Sequence, residues 1–213
     1  MSNNPIKVLL VDDHAMVRKG LKLILDATGD IRVAAKAEST PDALVKLTEQ
    51  AFDVALVDIA LPGKNGLELL RLIREFYPKL AVLILSMYDE EVYAVRALKL
   101  GAAGYLTKNS RDADLIDAIR KAASGGKYVS AKLAEKLACL VGGDGSLPHD
   151  ALSDRELEVL KLIAAGQSLV NIAASLHLSP NTVTTYRARI MVKLHAKSNS
   201  DLTRYAIEHG LRL

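Results

Sequence analysis

The first part of the chain alternates short apolar runs with longer amphipathic stretches. The runs are rich in β-branched residues and apolar throughout, which is typical of strands buried on both faces of a parallel sheet. They cover residues 8–11, 31–37, 54–57, 81–85 and 104–106. Amphipathic stretches follow near 15–27, 41–50, 66–77, 90–100 and 112–124. Five such strand–helix units predict an α/β fold, a five-stranded doubly wound parallel sheet with helices on both faces.

The pattern changes after the fifth unit. Residues 127–141 are amphipathic and predict a connector helix, whereas in Gly142–Asp150 glycine, proline and polar residues displace all periodicity and predict a flexible linker. Beyond the linker we expect only four short helices. The predicted organisation is therefore an α/β domain over residues 1–126, a connector and linker over 127–150, and a small all-α domain over 151–213.

Charge is distributed unevenly along the 213 residues. Residues 1–150 hold 20 basic and 20 acidic side chains, so the remainder, with 8 against 5, carries the whole net charge of +3. No acidic residue lies between Glu158 and Asp201, which indicates a polyanionic partner for this segment. The sequence shows no secretory signal or membrane span. We therefore expect a cytoplasmic protein with no membrane partner.

Polar side chains stand where the predicted strands end. Asp12 and Asp13 follow the first strand, Asp58 the third, Ser86 the fourth and Lys108 the fifth. The carboxyl ends of parallel strands form the functional crevice of such sheets. Two carboxylates about 4 Å apart repel by roughly 4 kcal/mol at an effective dielectric constant near 20, so the cluster needs shared protons or a cation. Oxygen ligands favour Mg²⁺, and a metal beside a lysine and a hydroxyl suits phosphoryl transfer to Asp58.

Four segments at these strand ends, residues 11–14, 57–63, 85–86 and 101–108, resemble the signatures of a two-component receiver domain, a flavodoxin-like fold. The resemblance covers residues 6 to about 125. It implies that Asp58 is the phosphoacceptor and that a sensor histidine kinase is the phosphodonor.

The same resemblance assigns the other site residues. It implies that Asp13, Asp58 and the backbone carbonyl of Ala60 bind Mg²⁺ directly and that Asp12 acts through water. Ser86 and Tyr105 form the switch pair that senses the phosphoryl group, and Lys108 pairs with the phosphate. Two positions depart from many receivers, since Met87 replaces a small residue and Asn109 replaces a proline. His14, beside the acids, is expected to be a cap or solvent-facing residue rather than a ligand.

The last part of the chain predicts a helix-turn-helix. Ser153 and Glu156 form a capping box that opens a first helix, which ends at Gly166. A second helix covers residues 168–176, the chain turns at His177 and Leu178, and the pair Ser179-Pro180 starts a third, basic helix. In this arrangement the later helix enters the major groove of double-stranded DNA.

A helical wheel divides the third helix into two faces. Val183, Ile190 and Leu194 share one face and are predicted to pack in the core. The opposite face carries Asn181, Thr184, Thr185, Ala188 and Val192, which can reach base edges. Side chains placed for phosphates are Arg187, Arg189, Lys193 and Lys197. Because no base-facing side chain is an arginine that could pair bidentately with guanine, base readout should be modest.

Residues 152–211 resemble the LuxR-type DNA-binding domain, and with the receiver they resemble the NarL/FixJ subfamily of response regulators. The resemblance implies a transcriptional regulator, not an enzyme, that forms a homodimer on phosphorylation, with the last helix, residues 200–209, as a dimer contact. Thr184 stands where this family commonly has lysine. Two alternatives remain open at this point: a metal-dependent phosphohydrolase centred on Asp58, and a DNA-binding protein whose acidic cluster is inert.

Overall fold

The computed structural model describes residues 4–62, 65–87, 90–141 and 148–211. The chain divides into two compact units, residues 1–138 and 139–213. The predicted bounds at 126 and 150 remain predictions. Among the described residues, no helix is both long and apolar enough to cross a bilayer.

The first unit is the predicted α/β fold. Its strands are Ile6–Val11 (β1), Ile31–Ala37 (β2), Val54–Val57 (β3), Ala81–Ser86 (β4) and Gly104–Thr107 (β5). They form one parallel sheet in the order β2-β1-β3-β4-β5. The helices are Ala15–Asp26 (α1), Thr40–Glu49 (α2), Gly66–Phe76 (α3), Glu90–Lys99 (α4) and Asp112–Ala123 (α5). The fold class is thereby confirmed.

The core explains why the strands lack polar positions. All four residues of β3 are buried, as are Val8–Val11 of β1, because both strands lie inside the sheet with helices on its faces. The apolar core runs from Leu25 of α1 through the sheet to Ile119 of α5. It ends where the polar strand-end residues begin, so the packing fixes their position.

The strands are slightly longer than predicted. β1 begins at Ile6, whose backbone N–H donates to the carbonyl oxygen of Asp30 over 2.8 Å. β4 and β5 each include one further residue, because Ser86 and Thr107 pair in register. Ser86 is therefore the last residue of β4 rather than the first residue beyond it.

The connector helix (α6) was predicted to start too early. It spans Ala131–Val141, not 127–141. Tyr128 instead forms a parallel bridge with Gly104, and its N–H donates to the carbonyl of Ala103 over 2.7 Å. This pairing holds the backbone extended, and the hydroxyl of Ser130 then accepts a hydrogen bond from the N–H of Leu133 in the first turn of α6.

The predicted flexible linker is also partly wrong. Its last residues, Pro148 to Asp150, belong to a 3-10 helix, Pro148–Ala151. The carbonyl of His149 accepts a hydrogen bond from the N–H of Leu152, which closes this turn. Residues 142–147 lie outside the described residues.

Within the part of the second unit that the structure describes, four α-helices follow. They are Asp154–Ala164 (α7), Leu169–Ser175 (α8), Pro180–Lys193 (α9) and Asn199–Glu208 (α10). A serine caps the start of each: the hydroxyls of Ser153, Ser168, Ser179 and Ser198 accept backbone N–H bonds. Helices α7 and α8 pack on α9, and α10 packs on α7. His177, in the left-handed region with φ of 53°, makes the turn between α8 and α9.

Candidate functional site

An acid pocket, defined here as Asp12, Asp13, Asp58 and Lys108, lies at the carboxyl edge of the sheet. Asp12 follows β1 and Asp58 follows β3, and because these strands are neighbours the two carboxylates face each other. One ligand atom from each of Asp12, Asp13, Asp58 and His14 lies within 4.8 Å of the others. Asp12 and Asp58 are buried, with 1% and 2% of their surface exposed, whereas Asp13 is exposed.

The ammonium of Lys108 bridges the two buried acids. Its Nζ lies 2.7 Å from Oδ2 of Asp12 and 2.6 Å from Oδ2 of Asp58. Burial raises the pKa of Asp58, and the positive charge of Lys108 only partly opposes this shift. Burial acts to lower the pKa of Lys108, but the charge of Asp58 and hydrogen bonds to both acids outweigh it and raise that pKa. Lys108 thus stays charged while it screens the repulsion between the carboxylates.

Backbone hydrogen bonds position Asp58. Its N–H donates to the carbonyl of Val11 over 2.9 Å, and its Oδ1 accepts from the N–H of Ala60 over 3.2 Å. The start of α3 presses on the same segment, since a Cβ added to Gly66 would lie 2.0 Å from the carbonyl oxygen of Asp58. Gly66 was not predicted as a site residue. The signal for it in the sequence is its place directly after Asn65, which caps the start of α3.

Two further residues, His14 and Arg18, contact Asp13 or Asp12 and were not predicted as site residues. The Nδ1 atom of His14 lies 2.7 Å from Oδ1 of Asp13, although 61% of its side chain is exposed. His14 precedes α1 without a capping side-chain hydrogen bond. The guanidinium of Arg18 donates from Nη1 to the carbonyl of Asp12 over 2.5 Å and also contacts Glu38. Both residues are on or next to the first turn of α1, which faces the pocket.

The predicted switch pair lies on the two adjacent strands beside the pocket. Ser86 and Tyr105 are both fully buried, on β4 and β5 respectively. The carbonyl of Ser86 accepts a hydrogen bond from the N–H of Lys108 over 2.8 Å, so the backbones of the two predicted phosphate partners are joined. The peptide bond between Lys108 and Asn109 is trans. Met87 is 66% exposed next to Ser86.

The donor set of the pocket is compatible with a bound metal ion. Asp12, Asp13 and Asp58 supply carboxylate oxygens, which are the ligands that hard divalent cations prefer. The carboxylates outnumber the one ammonium, so a divalent cation would offset the excess negative charge.

In the second unit, α9 has the two faces that the wheel predicts. We call α9 the recognition helix, after the role that the sequence predicts for it. Val183 and Ile190 are fully buried, and Leu194, just past the helix, is half-buried. The predicted base-facing residues Asn181, Thr184, Thr185, Ala188 and Val192 are all exposed. The hydroxyls of Thr184 and Thr185 donate to the carbonyls of Pro180 and Asn181, each over 3.0 Å.

The four basic residues predicted for phosphate contacts differ in their surroundings. Lys193 pairs with the buried Glu156 over 2.6 Å, and Arg187 donates to Oδ1 of Asn199 over 2.6 Å. Burial acts to raise the pKa of Glu156, but hydrogen bonds from Lys193 and Ser153 outweigh it and lower that pKa. Arg189 and Lys197 are exposed. No carboxylate of the described residues lies within ion-pair distance of their side chains.

The first and second units match two protein families. Residues 8–120 match the response regulator receiver domain, and residues 150–206 match the bacterial regulatory proteins of the luxR family. Response regulator GacA of Pseudomonas syringae is 37% identical over 97% of this chain and 97% of its own length. The oxygen regulatory protein NreC of Staphylococcus epidermidis is 39% identical over 97% and 99%.

A solved structure shows the same similarity over both units. RcsB of Salmonella enterica, bound to promoter rprA in the presence of the phosphomimetic BeF3-, is 27% identical with a TM-score of 0.67, covering 95% of this chain and 98% of its own. These similarities extend over both units and are to DNA-binding transcriptional regulators rather than enzymes. The chain therefore belongs to the NarL/FixJ subfamily of two-component response regulators, which join a receiver domain to a LuxR-type DNA-binding domain and regulate transcription.

Proposed function

We propose that Asp58 is the residue that accepts the phosphoryl group and that Asp12, Asp13, Asp58 and the carbonyl of Ala60 hold Mg²⁺ for this step. The observation that carries the proposal is the bridge from Lys108 to both Asp12 and Asp58 at the carboxyl edge of the sheet. It puts a fixed positive charge next to the proposed nucleophile. Bound Mg²⁺ would supply further positive charge for the phosphoryl oxygens.

In the proposed reaction, a carboxylate oxygen of Asp58 attacks the phosphorus of a phosphohistidine on the sensor kinase. A P–O bond forms to Asp58, and the P–N bond breaks with its electron pair returning to the imidazole. The ammonium of Lys108 is close enough to pair with the new phosphoryl oxygens, a role for a preorganised cation. The raised pKa of Asp58 makes its carboxylate more basic than an exposed one.

We further propose that Ser86 and Tyr105 sense the phosphoryl group and that phosphorylation promotes a homodimer. The hydrogen bond between the carbonyl of Ser86 and the N–H of Lys108 supports this, because a shift at the phosphate partner would move the end of β4. By the family resemblance, α1 and α5 form the receiver contact and α10 a contact in the second unit.

The proposed output is binding of double-stranded DNA by the recognition helix in the major groove. Asn181, Thr184, Thr185 and Ala188 would face bases, and Arg187, Arg189, Lys193 and Lys197 would face phosphates. All of these residues except the half-buried Arg187 are exposed, and no acid lies between Glu158 and Asp201, which supports this assignment. Since bacterial DNA lies in the cytoplasm, we keep that location as part of the proposal.

Labelling with a small phosphodonor and Mg²⁺ tests the phosphoacceptor. Asp58→Asn should abolish the acid-labile phosphoryl group detected by intact mass. The matched control is Asp53→Asn, because Asp53 directly precedes β3, at the end opposite Asp58. There its Oδ2 accepts a hydrogen bond from the N–H of Lys7 over 2.7 Å. Wild-type labelling of Asp58→Asn, or equal loss in both variants, would refute the assignment.

A further inference from the structure

A cavity of about 940 Å³ lies at the amino edge of the sheet, at the opposite ends of the strands from the acid pocket. Its lining includes Phe52 and Asp53 before β3, Leu80 before β4, and Ala102 and Ala103 before β5. A volume of this size falls within the range of roughly 300–1,000 Å³ that is typical of small-molecule sites. None of the proposed phosphorylation residues lines it.

The cavity combines an apolar interior with a positive rim. Leu80, Ala102 and Ala122 of its lining are buried apolar residues. Among the described residues that line the cavity, three are basic, Arg74, Lys79 and Lys127, and one is acidic, Asp53. Lys79 and Lys127 are exposed, and Asp53 is already hydrogen-bonded to the N–H of Lys7. An occupant with an apolar body and a negative group would match this lining.

Arg74 provides a specific point of attachment. Its Nη2 donates to the carbonyl oxygens of Tyr77, over 3.3 Å, and of Leu80. Its Nε is buried and has no hydrogen-bond acceptor among the described residues. Burial lowers the pKa of this guanidinium, and no carboxylate opposes the effect. Nη1 makes no hydrogen bond within the described residues and is not buried like Nε, so Nη1 is the N–H group that an incoming acceptor can reach.

The local backbone keeps this guanidinium in place. Gly101, with φ of 94°, lies against the side chain, and a Cβ added there would be 2.9 Å from Cδ of Arg74. Arg74 serves in part as the end of α3, because both of its acceptors are carbonyls just beyond that helix. That structural role uses Nη2 and leaves Nη1 for a ligand.

We propose that this cavity binds a small organic anion, an apolar ring system that bears a carboxylate, with the carboxylate on the guanidinium of Arg74. A carboxylate oxygen would accept a hydrogen bond from Nη1, and such a charge-assisted bond is stronger than a neutral one. The apolar body then occupies the space beside Leu80 and Ala102. The site is independent of phosphorylation at Asp58.

The test uses the full chain and two probes of equal shape, naphthalene-2-carboxylate and the neutral naphthalene-2-carboxamide. Titration followed by amide NMR shifts should map the carboxylate to residues 101–103 and 125–127. The carboxylate should bind about tenfold more tightly than the amide, which corresponds to about 1.4 kcal/mol. Equal affinities, shifts confined to other parts of the chain, or no binding of either probe at millimolar concentration would overturn the proposal.

Two variants separate the charge from the cavity. Arg74→Met should remove the preference for the carboxylate while the amide still binds as before. Since Arg74 also caps α3, Ala51→Trp provides a second variant that does not touch the guanidinium: Ala51 is an exposed lining residue, and an indole there should reduce the affinity of both probes at least about tenfold. A persistent carboxylate preference in folded Arg74→Met, or unchanged binding by Ala51→Trp, would contradict the site.

Discussion

Asp12, Asp58 and Lys108 satisfy one another inside the first unit, whereas the recognition helix turns Thr184 and Arg189 toward solvent. In the acid pocket, Asp12, Asp58 and Lys108 have lost most of their water and depend on one another. On the recognition helix, exposed side chains keep their hydration and contribute little to folding. A basic side chain is therefore needed for stability in one region of the molecule and is free for binding in the other.

The largest expected effect is at Lys108. Lys108→Met leaves two buried carboxylates facing each other, and breaking such a buried set costs about 3–5 kcal/mol of unfolding free energy at neutral pH. The matched control is Lys22→Met, which removes an exposed pair with Asp26 and should cost no more than about 0.5 kcal/mol. Urea unfolding of the full chain measures both. Similar losses would show that the acid pocket is no more stabilising than a surface pair.

The pH dependence of that loss has a definite sign. The pKa of Asp58 is raised in the folded protein, so the folded state holds a proton more tightly than the unfolded state. Protonation near and above the usual value of 3.8 therefore relieves the repulsion in Lys108→Met. We expect the stability difference between wild type and variant to narrow as the pH falls from 7 toward that window, and a difference that widens would contradict the raised pKa.

The next effect concerns the backbone of the pocket. Gly66→Ala puts a Cβ against the carbonyl of Asp58, so the start of α3 must shift, at a cost of about 1–3 kcal/mol. Gly20→Ala is the control: Gly20 lies within α1 with nothing within 4 Å of an added Cβ, and there alanine should stabilise by about 0.5–1 kcal/mol. Opposite signs in thermal or urea unfolding are expected. A neutral Gly66→Ala would mean that the α3 contact does not constrain Asp58.

The acid pocket was largely predictable from sequence because secondary structure alone fixes it. Once the apolar runs are known to be parallel strands, the residues just past their carboxyl ends must meet at one edge. These residues include Asp12, Asp58 and Lys108. What the sequence did not predict depends on packing between distant segments. Gly66 lies eight positions from Asp58 in the chain but touches its carbonyl, and the extended Tyr128 pairs with β5 although its own segment has a helical pattern.

For the recognition helix, the sequence predicts only which side is buried and which side is exposed. The wheel separates Val183 and Ile190 from the exposed side, because burial follows the helical period. It does not predict which exposed cations find partners on other helices. Lys193 meets Glu156 of α7, and Arg187 meets Asn199 of α10, and both pairings depend on how three helices pack.

Arg189 and Lys193 differ in whether they have a partner on another helix, and the consequence of this difference can be measured. Arg189→Gln should weaken binding to all DNA sequences and reduce the slope of log affinity against log salt by about 0.9, the value for one phosphate contact. Lys193→Gln should reduce the salt slope by less, because the charge of Lys193 is already paired with Glu156, and it should also lower the unfolding free energy of the DNA-binding unit, by no more than about 1 kcal/mol because Lys193 is 36% exposed. Salt titrations with specific and non-specific duplexes, beside urea unfolding, measure the two effects. If Lys193→Gln changes the salt slope as much as Arg189→Gln, its ion pair opens on DNA.

The smallest effect is expected at Thr184. Its hydroxyl hydrogen is donated to the carbonyl of Pro180, so the group that remains for a base is mainly the methyl. Thr184→Val keeps the methyl and the shape and should leave the preferred sequence unchanged, whereas Thr184→Ser removes the methyl and should lose about 0.8 kcal/mol at any position where it meets a thymine methyl. Selection from randomised duplexes distinguishes the two. A new preferred base with Thr184→Val alone would mean that the hydroxyl leaves the helix backbone to contact DNA, and the recognition helix would then depend on hydrogen bonds rather than apolar contact at this position.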